Sequence, residues 1–283
     1  MSTAVGIAHA DYAYDLVREC PGLVDFVEIP FEQLVRMPSA VEIKAHVPVI
    51  LHCASLSIAG NLPPDDALIE ILARWIKETE TPWLGEHLAY VRTKVCHFGD
   101  RAHEAILSGS EPFNVGYTVS PQFSPCILDR VVSSATQWED RLGLPVLLEN
   151  GPVYFNMPGS TMSQLQFIQK LCARRSKSSL LLDLSHLTIT CANLAIDPID
   201  TLLALPLESV VEVHMSGTQF DDGTWWDDHS RRVPEVVFEL LTHLRGKASP
   251  RALTLEYNWD GAFPIDVVAE DVERVRRILS GPL

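Results

Sequence analysis

Eight short apolar runs recur along the chain, and most of them close on a polar side chain. The runs are mostly continuous rather than alternating, as expected for parallel strands that are buried on both faces. They cover residues 4–9, 25–30, 47–53, 83–89, 145–151, 179–186, 210–217 and 252–259. The pattern therefore predicts eight parallel β-strands.

Apolar residues at helical spacing fill most of the intervals between these runs. The clearest segments are Asp66–Trp75, Cys126–Val132, Met162–Leu171, Pro234–Leu244 and Ile265–Leu279. A strand and a helix that alternate eight times are the signature of a (β/α)8 TIM barrel. Since no linker, tandem repeat or low-complexity segment divides the chain, we expect one domain over residues 1–283.

The interval between the fourth and fifth barrel strands is too long for a single helix. It holds residues 91–121, which are rich in Gly, Ser, Pro and His, before a helix that we expect to begin near Ser124. Structureless segments of this length in a compact domain are usually lids or binding loops. We therefore expect a functional loop over the mouth of the barrel.

The residues that close the apolar runs are mostly imidazoles and carboxylates. They are His9, Glu28, His52, Glu86-His87, Glu149-Asn150, Asp183 with His186, Glu212 with His214, and Glu256. In a parallel barrel all of these ends meet at one mouth. A core histidine or an ion pair explains any single ending, but such explanations would have to coincide on six strands. The set predicts a metal site.

Spacing indicates which of these side chains point the same way. Glu212 and His214 are two residues apart on a strand and share a face. Glu86 and His87 are adjacent and face opposite sides, so we favour His87 as the ligand and Glu86 as its neighbour. Asp183-Leu-Ser-His186 places a carboxylate at a strand end and an imidazole one short turn beyond it.

The candidate ligands are more numerous than one ion requires. A further Asp-x-His pair lies in a Trp-rich loop after the seventh strand, which brings the set to five histidines and five carboxylates. They are His52, His87, His186, His214, His229, Glu149, Asp183, Glu212, Asp227 and Glu256. One octahedral ion takes at most six ligands. We expect two or three ions, with Glu149 or Asp183 as a bridge, and N/O ligands suit iron, manganese or zinc.

Composition narrows the classes of function. The net charge of −15 disfavours binding to nucleic acid, because phosphates are repelled. No stretch approaches the roughly 20 apolar residues of a membrane span, and no secretory signal is visible. Six cysteines without CxxC spacing argue against disulfides and against a thiolate zinc site. We expect a cytoplasmic protein with no nucleic-acid or membrane partner.

The ordered motifs resemble a known family. They are L-H-C-A-S-L-S at His52, G-E-H-L-A at His87, E-N at Glu149, D-L-S-H-L at Asp183, E-V-H-x-S-G at Glu212, D-D-H at Asp227 and L-E at Glu256. In this order they resemble the multinuclear non-heme iron-dependent oxidative enzymes. These are TIM barrels that modify ribosomally made peptides, among them the methanobactin and thiaglutamate precursors. The resemblance covers about residues 4–260.

The resemblance implies two or three irons, O2 as the oxidant, and a cysteine or other residue near the C-terminal end of a precursor peptide as the substrate. It also implies a small partner protein that delivers the peptide. The implied metal ligands are His52, His87, Glu149, Asp183, His186, His214, Asp227, His229 and Glu256, with Asn150 and Glu212 as additions. Of these, we expect Asp183, His186 and Glu149 to take part in catalysis.

The chain departs from many members of the family at its start. It reads G-I-A-H-A-D where many members have a Gly-Ile-Gly-Leu-Arg type of opening. His9 is therefore left with three interpretations. In our order of preference it is a core histidine, a further ligand or a substrate contact.

Two other classes of function remain open. Divalent-metal sugar isomerases and epimerases of the xylose isomerase type share the barrel and the style of metal site, as do zinc phosphodiesterases that act on damaged DNA. The latter need a basic groove, which the net charge of −15 disfavours. A barrel that only binds a partner would contain almost no metal. Metal content and O2 uptake discriminate among these classes.

Overall fold

A closed barrel of parallel strands forms the centre of the computed structural model, which describes residues 2–93, 113–175, 179–258 and 264–281. The strands of these described residues are β1 (Ala4–Ala8), β2 (Phe26–Pro30), β3 (Val49–Cys53), β4 (Leu84–His87), β5 (Tyr90–Thr93), β6 (Phe113–Val119), β7 (Val146–Glu149), β8 (Leu180–Asp183), β9 (Val210–Ser216), β10 (Thr218–Asp221), β11 (Thr224–Asp227) and β12 (Ala252–Glu256). Eight of them close in the order β1-β2-β3-β4-β7-β8-β9-β12, and every ladder is parallel. The predicted TIM barrel is confirmed.

Helices occupy the intervals between the barrel strands. The α-helices of the described chain are α1 (Ala13–Glu19), α2 (Phe31–Arg36), α3 (Asp66–Thr79), α4 (Pro125–Leu142), α5 (Gln164–Arg174), α6 (Leu184–Leu194), α7 (Pro198–Ala204), α8 (Glu235–Leu244) and α9 (Ile265–Ser280). All five predicted helices are present, and α4 runs ten residues beyond the predicted end. Within the described ranges, no helix has the length and apolar character needed to cross a membrane.

Local capping explains where the longer helices begin and end. The Ser124 side chain accepts the N–H of Ile127 at the start of α4, and Gly143 ends that helix with a φ of +73°. A capping box of Ser163 and Gln166 begins α5. Each such cap stabilises a helix by about 1 kcal/mol.

The inner face of the barrel has two layers, because side chains two residues apart on a strand share a face. The lower layer is an apolar plug, and its members are Phe26, Ile50, Trp83, Leu147, Leu181, Val211 and Ala252. Two residues above Leu147 comes Glu149, and two above Leu181 comes Asp183. The plug therefore fixes the height and direction of the side chains at the mouth.

Two segments that we predicted as loops contain antiparallel strands. The described ends of residues 91–121 pair as β5 and β6, while residues 94–112 lie outside the described residues. In the Trp-rich segment β10 and β11 form a hairpin, whose turn at Asp222-Gly223 has positive φ at both residues. Asp-Gly is a strong hairpin signal, and the aromatic and β-branched residues that follow favour a strand.

Candidate metal centre

Most of the predicted ligands gather at the carboxyl end of the barrel strands. Nine of them fall into sets of three whose ligand atoms lie within 4.8 Å of one another. We call these sets the first group (His52, His87, Glu149), the second group (Asp183, His214, Glu256) and the third group (His186, Asp227, His229). Glu212, which we also predicted as a ligand, belongs to no such set of histidines, cysteines and carboxylates in the described residues, and Asn150, a further predicted ligand, is an amide outside those residue types.

The first group brings two imidazoles and a carboxylate together across β3, β4 and β7. The Nε2 atoms of His52 and His87 are 3.0 Å apart. Oε2 of Glu149 lies 3.2 Å from His52 Nε2 and 2.9 Å from His87 Nδ1. Gly85 leaves room for this arrangement, because a Cβ there would lie 2.5 Å from His52 Nδ1.

The second group is organised around His214 on β9. Its Nδ1 lies 3.5 Å from Glu256 Oε2. Its Nε2 lies 3.0 Å from Glu28 Oε2, so we assign Nε2 as the protonated nitrogen that donates to Glu28. A carboxylate behind a histidine fixes the ring and directs the other nitrogen to a metal. Glu28 closes a predicted strand, yet our ligand set omitted it.

The third group joins α6 to the end of the β10–β11 hairpin. The Asp227 carboxylate lies between two imidazoles. Its Oδ2 is 3.1 Å from His186 Nε2, and its Oδ1 is 2.8 Å from His229 Nε2. His186 Nδ1 is 2.9 Å from the Asn150 carbonyl oxygen and donates to it. The Nε2 atom of His186 is thereby left to face Asp227.

Glu149 is the side chain that touches all three groups. Its Oε2 faces the first group, while Oε1 lies 3.2 Å from His186 Nδ1 and 3.7 Å from His214 Nδ1. Burial alone would raise the pKa of Glu149, but His87, His186 and His52 together hold that pKa well below its usual range. A carboxylate in this position is suited to bridge two cations.

Asn150 orients its neighbours instead of facing the groups. Its side-chain amide donates to the Asp183 carbonyl at 2.9 Å and accepts the Asp183 N–H at 2.9 Å. Asp183 in turn begins α6, since its Oδ1 accepts the N–H of His186 at 2.5 Å. These contacts occupy both polar atoms of the Asn150 side chain and leave Asp183 Oδ2 directed to the mouth.

Glu212 lies one layer below His214, at the level of the plug. Its carboxyl group accepts from Trp83 Nε1 at 2.7 Å and from Thr254 Oγ1 at 3.2 Å. Burial, with the nearby Glu28 second, raises the pKa of Glu212 to about 8. The shift favours the protonated form of Glu212, and its carboxyl oxygens already accept hydrogen bonds from Trp83 and Thr254.

The charges at the mouth shift the pKa values of the other groups in opposite directions. Burial raises the pKa of Asp183 to about 7 although His186 opposes the shift. Burial opposes the charge of His229, yet Asp227 and Glu256 outweigh it and raise the pKa of His229 to about 9. The mouth therefore holds protons that a bound cation would displace.

Several buried ligand atoms form no hydrogen bond of good geometry among the described residues, although an imidazole nitrogen lies near some of them, such as His229 Nε2 at 2.8 Å from Asp227 Oδ1. They are both carboxylate oxygens of Glu149, Asp183 Oδ2, His52 Nδ1, His214 Nδ1 and Asp227 Oδ1. Leaving a buried polar group unsatisfied costs about 1–3 kcal/mol. Cations would satisfy such atoms, and nitrogen and oxygen donors without thiolate fit iron, manganese or zinc. The residues present therefore fit a multi-metal centre.

A pocket of about 940 Å³ opens above the metal centre. Members of all three groups line its floor, and His9, Gln33 and Arg36 line its wall. His9 is half-buried, burial lowers its pKa, and its Nδ1 has no hydrogen-bond partner among the described residues. His9 therefore faces the pocket and belongs to none of the metal-ligand sets found in the described chain.

A TIM barrel with a polar centre at its C-terminal mouth defines this chain as an enzyme. It belongs to the family of RiPP precursor modification enzymes MbnB/TglH/ChrH, whose model matches residues 4–102 and 120–280. That match includes the positions of all nine residues of the three groups. The family that the sequence motifs resembled is confirmed.

The curated relatives are proteins named UPF0276. A relative from Streptomyces avermitilis is 28% identical over 255 residues, which are 89% of this chain and 50% of that protein. The chain thus spans half the length of that relative. A relative from Caulobacter vibrioides is 28% identical over 249 residues, which are 87% of this chain and 82% of that protein.

Among solved structures, the chain is similar to D-psicose 3-epimerase from Clostridium cellulolyticum H10, crystallised with D-tagatose. The TM-score is 0.56 at 13% identity, and the alignment covers 98% of this chain and 99% of the epimerase. Identity this low shows a shared fold alone.

Proposed function

We propose that this enzyme uses two or three iron ions and O2 to oxidise one residue of a ribosomally made precursor peptide, with cysteine as the first candidate. The observation that carries the proposal is the division of nine ligands into three groups around Glu149. A single ion cannot use nine ligands, and most of these side chains are buried. Family membership supplies the peptide as the class of substrate.

The residues at the mouth would hold the ions in fixed positions. Hydrogen bonds behind the ligands, from His214 to Glu28 and from His186 to the Asn150 carbonyl, fix the two rings. Glu149 offers one oxygen to each side and would bridge neighbouring ions. Iron, when bound, supplies open coordination positions and electrons for O2, and lowers the pKa of a thiol that it binds.

Asp183, His186 and Glu149 are our candidates for catalytic residues. The three side chains form one set whose ligand atoms lie within 4.8 Å of one another, and Glu149 and His186 line the pocket. Burial raises the pKa of Asp183 to about 7, which would let Oδ2 exchange the proton of a substrate thiol where no ion occupies that atom. His186 and Glu149 would keep that carboxylate and the substrate side by side.

The surroundings of the pocket suit a peptide. The β10–β11 hairpin rises from the mouth and exposes Trp225 (38%), Trp226 (42%) and Phe220 (58%). Trp226 also stacks on Tyr154 at a ring distance of 4.8 Å, so part of its surface packs the hairpin onto the barrel. Exposed aromatic side chains offer large, rigid contact area to an extended chain. A small protein that delivers the peptide is part of the proposal.

The test is a reconstitution. Protein purified without oxygen would be loaded with Fe(II) and mixed under air with each short peptide, and each small protein, that neighbouring genes encode. O2 uptake and peptide mass would then be followed. We expect O2 consumption and a changed mass at one residue. An unchanged peptide, together with conversion of a free ketohexose by zinc- or manganese-loaded protein, would favour the sugar epimerase alternative.

A further inference from the structure

His229 has a backbone conformation that needs support from elsewhere. Its φ is +56°, in the left-handed region that a non-glycine residue rarely adopts. Such a conformation costs on the order of 1–3 kcal/mol and persists only where neighbouring contacts enforce it. The contacts that enforce it at His229 therefore also decide whether the third group forms.

The segment that follows His229 is fastened from two sides. On one side, the N–H of Asn258 donates to the His229 carbonyl at 3.0 Å. On the other side, Gly217 lies so close that a Cβ there would meet the Arg231 carbonyl oxygen at 1.9 Å. The segment thus packs directly onto the chain that links β9 to β10.

A buried carboxylate holds the far end of the same segment. Asp271 on α9 is fully buried, and it receives Arg232 Nε at 3.0 Å and Nη2 at 2.6 Å. The hydroxyl of Tyr257 donates to the other oxygen of Asp271 and accepts the N–H of Val233 at 3.3 Å. A buried carboxylate of this kind is stable only with such paired donors.

We propose that Arg232, Tyr257 and Asp271 form a latch that positions His229 and so supports the third group more strongly than the other two. None of the latch residues belongs to the three groups. Tyr257 directly follows Glu256, and Arg232 lies three residues after His229, so the latch joins two ligand-bearing segments to α9. The inference rests on the proposed metal centre and adds positioning residues to it.

The latch predicts a selective effect on metal content. Asp271→Asn keeps the shape of the side chain and removes the charge that holds Arg232. We expect the weakest-bound ion of the Asp271→Asn variant to be bound about 10- to 100-fold less tightly. Losses of this size are usual when a residue that positions a metal ligand is changed. After dialysis the variant should contain about one ion per chain less than the parent protein, while the remaining ions stay.

The experiment counts Fe(II) and, separately, Zn(II) per chain by elemental analysis after anaerobic loading. His229→Ala should lose the same ion, and Asp271→Asn added to His229→Ala should lose nothing more, since both act on one group. Tyr257→Phe, which deletes only a hydroxyl, should weaken the same ion by less than tenfold. Arg274→Ala is the matched control, because it removes an exposed ion pair between α9 and Glu235 of α8 and should leave the metal count unchanged.

The outcomes separate the latch from the proposed function. Full metal content in folded Asp271→Asn and Tyr257→Phe, or an equal loss of every ion, would overturn the latch. If Asp271→Asn fails to fold, Tyr257→Phe and the Arg232→Lys variant decide alone. A parent protein that binds Zn(II) but no Fe(II) would contradict the proposed iron chemistry, and the Zn(II) count would still test the latch.

Discussion

The two layers of the barrel interior use the same strands for opposite purposes. The lower layer is an apolar plug in which every member is buried. The upper layer consists of carboxylates and imidazoles, several of which form no hydrogen bond of good geometry among the described residues, and its members His52, Glu149 and Asp183 lie two residues beyond plug residues on their strands. One period of a β-strand therefore separates the part that stabilises the fold from the part that carries the chemistry.

This comparison explains why the mouth can contain so many buried charges. Each unsatisfied polar atom costs about 1–3 kcal/mol, and the plug beneath offsets part of that cost by burying apolar area. The charged layer then depends on cations, whereas the plug does not. Substitutions in the upper layer should therefore affect metal binding and activity, whereas substitutions in the lower layer should affect stability.

The largest effect is expected from the upper layer. His214→Ala or Asp183→Ala should lose iron and O2-dependent peptide modification together, by several orders of magnitude in turnover, because each removes a ligand from the second group. Iron per chain and peptide mass after a fixed time are the measurements. His46→Ala is the control and should keep both, because His46 is an exposed histidine whose ring meets that of Tyr14 edge to face. If both ligand variants kept their full iron content and turnover, His214 and Asp183 would have a structural role only.

The lower layer should respond in stability instead. Leu181→Ala deletes a fully buried side chain directly below Asp183 and should lower the free energy of unfolding by about 2–5 kcal/mol. Urea unfolding of metal-free protein measures this, and elemental analysis should find the metal content of the folded variant unchanged. Loss of iron at full stability would mean that the two layers are not separable.

The pH should act on the upper layer alone. The pKa of Asp183 is raised to about 7 and that of His229 to about 9, so protons compete with cations for these two side chains below those pH values. The affinity for Fe(II) should therefore fall as the pH falls through them. Titration calorimetry in two buffers of different ionisation enthalpy should detect release of protons on binding at pH 7. His229→Ala should release fewer protons. Fe(II) binding that does not depend on pH would contradict the raised pKa values of Asp183 and His229.

The smallest effect concerns the rim above both layers. Trp226→Ala removes an exposed aromatic surface next to Asp227 and should raise the KM for the precursor peptide by about threefold to tenfold, with metal content unchanged. Steady-state kinetics measures this. Ile196→Ala, which removes an exposed apolar side chain outside the hairpin, is the control. An unchanged KM would limit Trp226 to packing on Tyr154.

The barrel and the strand ends that carry the candidate ligands were predictable from the sequence for one physical reason. A strand buried on both faces is a continuous apolar run, so its polar end marks both the strand boundary and the mouth. For this reason His52, Glu149 and Glu256 could be placed without a structure. The Asp222-Gly223 turn was equally visible, but we did not use it to predict the hairpin.

Hydrogen bonds between distant residues could not be predicted in this way. Glu28 was visible as a strand end, but its partner His214 lies 186 positions away along the chain. The resemblance added Asn150 and Glu212 to the predicted ligands, and the structure shows the hydrogen bonds that their polar atoms make, to Asp183 and to Trp83 with Thr254. A sequence displays donors and acceptors but not which of them are already paired.

The number of ions in the upper layer tests the account most directly. Anaerobically prepared protein, loaded with Fe(II) and freed of weakly bound metal, would be measured for iron by elemental analysis and for coupling between ions by Mössbauer spectroscopy. We predict two or three irons per chain, with at least two close enough together for Glu149 to bind both. A single iron per chain, or none, would contradict it.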